Sequence, residues 1–468
     1  MPVHSSLFLM ASMVREREIS AVHLVEAHLR RIGQLDHELR AFVRVYAEEA
    51  VEAARRIEEQ AARREALGLL AGVPLTVKDS FDVAGSPTVC GSRTRLNHRA
   101  SRDSTPVARL KAAGAVILGK TNAPEFLYHY ETENYTTGRT VNPWNRARTA
   151  GGSSGGEAAA IASLCSAGGI GSDAGGSIRV PAHCCGIAGL KPTPGRIPAP
   201  GHFPAIGYPG GLLGVAGPMA RSARDLSLLF AVLAGDDDQD PFSVPVPLRP
   251  PDTAGLTIGV MEQFPGIPAQ PEVRSAVRRA ADTAASLGFA VEPFDGACIE
   301  RAPPVWWFFF GRLSAPALRP LIEPNADDIH PLGRELFDRA TVQPDPTALE
   351  VVEQFAVRDR MRAALLRRMR TTRVLLLPVS SVTAWTPGER QWMLDGRSVE
   401  FLEAMSASSA FNLLGLPAVT IPFGKDENGL PVGIQLVGRP WEEEGLLALA
   451  ERLEEARGPY PAPAAGLP

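Results

Sequence analysis

The sequence predicts an α/β fold, and three observations support this class. Apolar runs of strand length alternate with segments of helical periodicity along most of the chain. The chain has 468 residues, of which 45% are hydrophobic and 21% charged, so it contains enough apolar material for a sizeable core. No internal repeat is evident, so no repeat architecture is predicted.

The N-terminal part predicts two helices followed by strand–helix alternation. Ser20 is a suitable N-cap for the first helix, and an Ala-rich second helix is predicted over 48–66. Residues 72–79 form a strand-like run that ends in charge, and residues 107–113 form a helix that leads into a buried strand at 115–118. This order is typical of an α/β sheet.

The middle of the chain continues the alternation and then loses it. A helix is predicted over 157–166 and a short strand over 168–172. Proline and glycine crowd 192–218, which predicts a long irregular loop of the kind that contacts substrates. After a helix at 223–234, the acidic, proline-rich segment 236–252 is predicted to be a solvated connector.

Beyond the connector the same two patterns return. The predicted strands are 256–260, 374–378, 418–422 and 432–436, and the predicted helices are 272–287, 350–369 and 442–455. The last two strands flank a turn at 426–429, which predicts a hairpin.

Charge and composition exclude several classes of partner. The formal net charge of −4 offers no electrostatic basis for binding nucleic acid or an anionic membrane. No segment is long and apolar enough to span a bilayer, and the first 20 residues lack a basic leader, so we expect a cytoplasmic protein. Five cysteines, an odd number, do not predict a disulfide framework. We predict no metal and no cofactor.

Two short motifs suggest other functions, but their surroundings do not fit. Residues 114–121 match the phosphate-loop pattern, yet their middle is a strand-like apolar run and not an exposed cradle. Residues 151–155 match the Gly-x-Ser-x-Gly elbow of α/β-hydrolases, with His183, His202 or His330 as candidate triad partners. The elbow should follow a buried strand directly, whereas this one follows a polar segment. Taken alone, the same glycines and serines are also typical of a flexible linker.

Two serines in glycine-rich loops and one lysine carry the strongest chemical signal. Ser153 lies within Gly-Gly-Ser-Ser-Gly-Gly, and Ser177 follows Asp-Ala-Gly-Gly in the next such loop. Glycines before each serine allow unusual dihedrals and the close approach of a substrate. Lys78 ends an apolar run, where desolvation can lower the pKa of its amine enough for it to act as a base. The three residues together predict a hydrolase with a serine nucleophile and a lysine base.

The same loops resemble the amidase signature family. The long matching stretches are 151–157, 171–181 and 185–196, and the flanking pieces are 77–79, 119–126, 142–144, 415–418 and 429–436. The resemblance spans about residues 20–448 and is weakest from 201 to 371. It implies one α/β/α layered domain over 1–468, with a large mixed, mostly parallel sheet. Within that domain it implies N-terminal helices over 1–70, a signature core over 71–235, and variable helices with closing strands over 253–468.

The resemblance also assigns roles to individual residues. It implies that Ser177 is the nucleophile that receives the acyl group, that Ser153 bridges, preceded by a cis peptide bond, and that Lys78 is the base. It places the oxyanion-binding N–H groups in the loop that ends at Ser177, on Ala174, Gly175, Gly176 and Ser177 itself.

The acyl pocket is less specified. The resemblance places Leu127 at its border, through the backbone, with Tyr128 and His129 beside it. The aromatic run at 305–310 either lines this pocket or belongs to the core or to a subunit contact. These alternatives stay open on the sequence.

The predicted function is hydrolysis of a small-molecule carboxylic acid amide to an acid and ammonia or an amine, by a stand-alone amidase that is a possible homodimer. One alternative is the glutamine-hydrolysing subunit of a glutamyl-tRNA amidotransferase. Glu157, where that subunit usually has a small residue, and a dissimilar C-terminal third favour the stand-alone enzyme. The other alternative is a non-catalytic binding protein on the same fold.

Overall fold

The computed structural model describes residues 2–206 and 212–463. The strands of the described residues are β1 (Phe42–Val45), β2 (Pro74–Lys78), β3 (Val116–Thr121), β4 (Val141–Asn142), β5 (Asn145–Thr149), β6 (Gly168–Asp173), β7 (Ala188–Lys191), β8 (Val215–Ala220), β9 (Thr257–Val260), β10 (Ala290–Pro293), β11 (Val374–Pro378), β12 (Gln391–Leu394), β13 (Arg397–Glu400), β14 (Ala418–Lys425) and β15 (Pro431–Val437).

The α-helices of the described residues are α1 (Leu7–Arg15), α2 (Ala21–Leu39), α3 (Ala47–Ala62), α4 (Thr105–Ala112), α5 (Gly155–Ala162), α6 (Arg179–Cys185), α7 (Ala223–Leu233), α8 (Pro271–Ser286), α9 (Ala302–Trp307), α10 (Ala315–Ile322), α11 (Pro331–Thr341), α12 (Ala348–Arg368), α13 (Phe401–Ala404), α14 (Ser406–Leu413) and α15 (Glu443–Arg457). A π-helical turn, Phe308–Arg312, continues α9.

Eleven of the described strands form one sheet, in the order β1-β3-β2-β6-β8-β7-β14-β15-β11-β9-β10. Four of its neighbouring pairs are parallel and six are antiparallel. The large mixed sheet is therefore confirmed, with more antiparallel pairing than the resemblance implied. One reason is the hairpin of β14 and β15, because its tight turn at Asp426 leaves no room for a crossover connection.

Helices cover both faces of this sheet. Every residue of the central strands β2, β3, β6, β7, β8, β11 and β15 is buried, which requires a layer on each side. Helix α15 packs on both α7 and α8, all three pack on the sheet, and α5 and α6 form a second packed pair. The predicted α/β/α layering is confirmed.

Most predicted elements lie within a few residues of their expected positions. Ser20 caps α2, and its side chain accepts the N–H of His23 at 3.0 Å. The phosphate-loop match ends in β3, a fully buried strand, so its backbone N–H groups do not form an open cradle. The predicted loop at 192–218 ends in β8, and its residues 207–211 lie outside the described part of the chain.

The two halves of the chain share the sheet. Strand β14, from the C-terminal part, pairs with β7 of the signature core, with Ala418 opposite Lys191. The segment 236–252 therefore connects parts of one sheet. No helix among the described residues combines the length and apolar character needed to cross a bilayer.

Candidate active site

Lys78 ends β2, and its side chain is completely buried. Its Nζ lies 2.7 Å from Ser153 Oγ and 3.1 Å from Ser172 Oγ. No carboxylate among the described residues forms an ion pair with it, and the neighbouring Asp79 instead pairs with Lys120 at 2.7 Å. Burial lowers the pKa of Lys78 to about 7, and nearby ionisable groups oppose this effect only in part. A lysine in this state can accept a proton near neutral pH.

Ser153 is held by close backbone packing. The peptide bond between Gly152 and Ser153 is cis, as the resemblance implied. A Cβ atom at residue 152 would lie 2.6 Å from the carbonyl carbon of Tyr130, so only glycine fits there. The next residue, Ser154, donates its N–H to the carbonyl of Ser177 at 3.1 Å, so the two glycine-rich loops are adjacent.

Ser177 lines the same cavity as Ser153 and is half-buried. Its hydroxyl has no hydrogen-bond partner in the described chain, whereas the Ser153 hydroxyl is engaged by Lys78. The structure therefore forms the Lys78–Ser153 part of the predicted relay, and the two serine hydroxyls face one cavity without a hydrogen bond between them. Such bonds commonly tighten only when a substrate is bound.

The loop before Ser177 presents free N–H groups. Those of Ala174, Gly175 and Ser177 have no partner among the described residues. The N–H of Gly176 donates instead to Asp173 Oδ1 at 2.7 Å, so it is engaged in this state of the protein. Three of the four predicted N–H groups are thus available to an oxyanion.

A buried ion pair braces this loop. Arg179 contacts Asp173 with two nitrogens, Nη2 at 3.0 Å and Nε at 3.1 Å, and both side chains are fully buried. Burial alone would raise the pKa of Asp173, but the guanidinium outweighs burial and holds the pKa below its usual value. Asn412 of α14 donates to the Asp173 carbonyl at 3.0 Å. The ion pair is therefore placed to hold the loop before Ser177 in position.

A mainly apolar cavity of about 390 Å³ opens beside the two serines. The side chains that line it are mostly aromatic or aliphatic: Phe126, Leu127, Tyr128, Phe203, Ile206, Leu213, Phe310, Ala317, Leu318 and Leu321. Its polar lining consists of Ser153, Ser172, Asp173, Ser177, His202 and Ser314. No cationic side chain is among its described lining residues.

The predicted acyl-pocket residues are partly brought together. Leu127 and Tyr128 line the cavity, and Leu127 adopts a positive φ of 62° in the turn that presents it. His129 does not line the cavity. Its ring is buried against Phe401, with the centroids 5.2 Å apart, and its Nε2 lies 3.4 Å from Glu335.

The alternative Ser-His arrangement is not formed. His202 lines the cavity, but its Nδ1 lies 2.7 Å from the carbonyl of Pro204 and burial lowers its pKa to about 3. His183 contacts the carbonyl of Val382 at 3.1 Å. Neither serine is hydrogen-bonded to a histidine in the part of the chain that is described.

Two features of the site were missed by sequence reasoning. Ser172, the second hydroxyl on Lys78, lies inside one of the matching stretches and could have been noticed there. Trp306, in the aromatic run, donates from Nε1 to the carbonyl of Ala174 at 2.9 Å. Phe310 from the same run lines the cavity, so this run contributes to the pocket as well as to the core.

A family model described as Amidase matches residues 23–447. A Glutamyl-tRNA(Gln) amidotransferase subunit from Thermosynechococcus vestitus is 32% identical over 469 aligned residues, which cover 94% of this chain and 95% of that one. The Indoleacetamide hydrolase of Bradyrhizobium diazoefficiens is 33% identical over 454 residues, covering 96% and 86%. Among solved structures, a bacterial aryl acylamidase of the amidase signature family superposes with a TM-score of 0.88 at 28% identity, covering 97% of each chain.

Proposed function

Because this chain belongs to the amidase signature family, we propose that it is a stand-alone amidase that hydrolyses small amides through an acyl-enzyme on Ser177. The observation that carries the proposal is the buried Lys78 amine, 2.7 Å from the Ser153 hydroxyl and without an ion-pair partner in the described chain. Lys120 pairs with Asp79, and Lys191, which is also buried without an ion-pair partner in the described chain, donates to the carbonyl of Pro192 at 2.9 Å. Lys78 differs from both because its amine contacts two serine hydroxyls, those of Ser153 and Ser172.

The proposed reaction is a proton relay. Neutral Lys78 accepts the Ser153 proton while Ser153 accepts the Ser177 proton, and Ser177 Oγ bonds to the substrate carbonyl carbon. The free N–H groups of Ala174, Gly175 and Ser177 are available to stabilise the resulting oxyanion. The relay then returns a proton to the leaving nitrogen, the C–N bond breaks, and water releases the acid by the same route.

Burial makes this relay effective near neutral pH. With a pKa of about 7, roughly half of Lys78 is neutral at pH 7, compared with about 1 in 3,000 at the ordinary value of 10.5. No histidine is needed. The low-dielectric surroundings that shift the lysine also strengthen the N–H contacts to the oxyanion.

The cavity favours an apolar, uncharged acyl group. Phe126, Phe203 and Phe310 present aromatic surface to it, and Leu318 and Leu321 add aliphatic surface. A cavity of about 390 Å³ accommodates an aryl or medium-length alkyl group. We therefore propose aryl or aliphatic amides as the substrate class.

The second candidate is the glutamine-hydrolysing role, and the likeness to the amidotransferase protein of Thermosynechococcus vestitus favours it. That alignment covers 94% of this chain, so the C-terminal third does not separate the two functions. The cavity does argue against it. Glutamine carries an α-ammonium and an α-carboxylate, each costing several kcal/mol to desolvate without a partner. The lining carboxylate Asp173 is already paired with Arg179.

The experiment combines one variant with a substrate panel. Ser177→Ala should lose amide hydrolysis by about 10⁴-fold or more, because it removes the nucleophile. Release of ammonia or amine from aryl, indole and aliphatic amides, with glutamine included, then identifies the substrate class. Full activity in Ser177→Ala would refute the mechanism, and activity on glutamine alone would refute the stand-alone amidase.

Labelling separates catalysis from binding. A fluorophosphonate should label Ser177 in the wild-type protein and not in Ser177→Ala. A protein that only binds amides on this fold would remain unlabelled at Ser177 and release no product from any amide in the panel.

A further inference from the structure

The carbonyl groups of the loop before the nucleophile are all engaged by donors. Trp306 Nε1 donates to the Ala174 carbonyl at 2.9 Å, and Tyr130 Oη donates to the Gly175 carbonyl at 2.8 Å. The Gly176 carbonyl accepts from the Val180 N–H at 2.7 Å. Two of these donors are side chains from distant parts of the sequence.

A peptide group is planar, so fixing its oxygen fixes its N–H. The Ala174 carbonyl belongs to the same peptide as the Gly175 N–H, and the Gly175 carbonyl belongs to the same peptide as the Gly176 N–H. A donor on the oxygen also polarises the peptide and strengthens its N–H as a donor. Trp306 is therefore placed to aim and strengthen the free N–H of Gly175. Tyr130 fixes the next peptide, whose Gly176 N–H donates to Asp173 Oδ1, and so holds the shape of the same loop.

Packing holds both donors against the loop. A Cβ atom at Gly175 would lie 2.5 Å from the Trp306 ring and 2.7 Å from Tyr130 Oη, so the two side chains close over this glycine. The Trp306 ring stacks on Phe310 with centroids 4.6 Å apart. Trp306 and Tyr130 are only 2% and 3% exposed, so neither side chain can readily exchange its bond for water.

We propose that Trp306 and Tyr130 are positioning residues for the loop that carries the oxyanion N–H groups, Trp306 through the Gly175 N–H and Tyr130 through the adjoining Gly175–Gly176 peptide. This inference rests on the proposed function and extends it to a helix outside the signature core. Trp306 lies on α9, so the segment that shapes the acyl pocket through Phe310 also aligns the reacting loop. Burial raises the pKa of the Tyr130 phenol, which keeps its hydroxyl protonated and able to donate.

The test removes each donor and leaves a phenyl ring in its place. Trp306→Phe and Tyr130→Phe should each lower kcat by about 10-fold, less than the 10²–10³-fold typical of losing an oxyanion donor itself. KM should stay within about twofold. Trp307→Phe, next in the same helix, and Tyr46→Phe, which loses a buried hydroxyl bond to Ser86, are the matched controls and should leave kcat within about twofold.

A second readout separates positioning from general damage. A boronic acid forms a tetrahedral anionic adduct with the serine, so its affinity should fall in proportion to kcat in both variants. Binding of the amide substrate, measured in the Ser177→Ala background, should change by less than twofold. Thermal melting of each variant checks that the fold is intact.

Two results would overturn the inference. One is a kcat within twofold of wild type in both Trp306→Phe and Tyr130→Phe. The other is a loss of kcat that Trp307→Phe and Tyr46→Phe share, or that reduces substrate and boronic acid binding equally. Both results leave the proposed function standing as long as Ser177→Ala is inactive. Hydrolysis by Ser177→Ala would instead remove the proposed function itself.

Discussion

Glu157 is a buried carboxyl group that is electrostatically coupled to Lys78, the predicted base. It is fully buried in α5 and accepts hydrogen bonds from the hydroxyls of Thr76 and of Thr121, the latter at 2.7 Å. Burial raises its pKa to about 7, while the two hydroxyls and Lys78 act in the opposite direction. When ionised, Glu157 favours the charged form of Lys78 and so raises the pKa of the lysine.

This coupling predicts the pH dependence of the reaction. Only neutral Lys78 acts as a base, so kcat/KM should rise with pH and level off above an apparent pKa near 7. Glu157→Gln keeps the shape and removes the charge that supports protonated Lys78. The pKa of Lys78 should then fall, and the acid limb of the kcat/KM profile should shift to lower pH by about 0.5 to 1 pH unit.

The matched control is Glu454→Gln. Glu454 is also a buried carboxyl group whose pKa burial raises to about 7, but it lies in α15 and accepts the N–H of Ala223. Its substitution should leave the acid limb in place. An acid limb that stays fixed in Glu157→Gln, or moves upward, would contradict the coupling.

At this scale the sequence marks the residues proposed for the chemistry more clearly than the residues that support them. Lys78, Ser153 and Ser177 stand in stretches whose glycines and resemblance mark them. Tyr130 and Trp306 carry no such mark, because a tyrosine and a tryptophan serve equally well in a core. Only the tertiary structure brings them to the same loop.

Helix α14 and the loop between β6 and α6 form one buried polar unit. Besides contacting Asp173, Arg179 donates to the Ser408 carbonyl at 2.9 Å and to Gln435 Oε1 at 3.0 Å. Asn412 adds further bonds to the Asp173 carboxylate and to the Leu213 carbonyl. An element near the C-terminus thus fixes the loop between β6 and α6.

Breaking this unit should lower the free energy of unfolding much more than breaking an ion pair on the surface. Arg179→Met leaves Asp173 buried without its counterion, and we expect the free energy of unfolding to fall by about 3–5 kcal/mol. The control, Arg278→Met, removes an exposed pair with Glu262 and should cost at most about 1 kcal/mol. Guanidinium denaturation measures both, and equal costs would contradict a structural role for the buried pair.

Periodicity located most of the long elements and missed the 11-residue helix α11 as well as several short elements. The predicted helix at 272–287 is α8, and the predicted strand at 374–378 is β11, because these segments bury a regular apolar pattern. The short hairpin of β12 and β13 was not predicted. Its strands bury only alternate or single residues, so tertiary contacts decide their conformation.

The whole molecule is organised around a sheet to which both halves of the chain contribute. Strand β14 lies between β7 and β15, and α15 packs against α7. Neither half can bury its strand edges alone. We therefore propose that residues 1–468 fold as one cooperative unit in spite of the solvated connector.

Cutting the connector tests this unity. Separate fragments 1–250 and 251–468 should each fail to show a cooperative thermal transition, because each exposes the strand edge that the other covers. Co-expression of both fragments should restore the transition and the activity. Cooperative unfolding of either fragment by itself would show that the chain has two independent domains.

The stacking of Trp306 on Phe310 affects any attempt to change the substrate range of the proposed amidase. Smaller residues at Phe310 would enlarge the proposed acyl pocket and would also remove the ring on which Trp306 stacks. We therefore expect a wider substrate range to be accompanied by slower turnover. Libraries at Ala317 and Leu321 alter the same cavity from α10, away from that stack. Engineering should begin from those two sites.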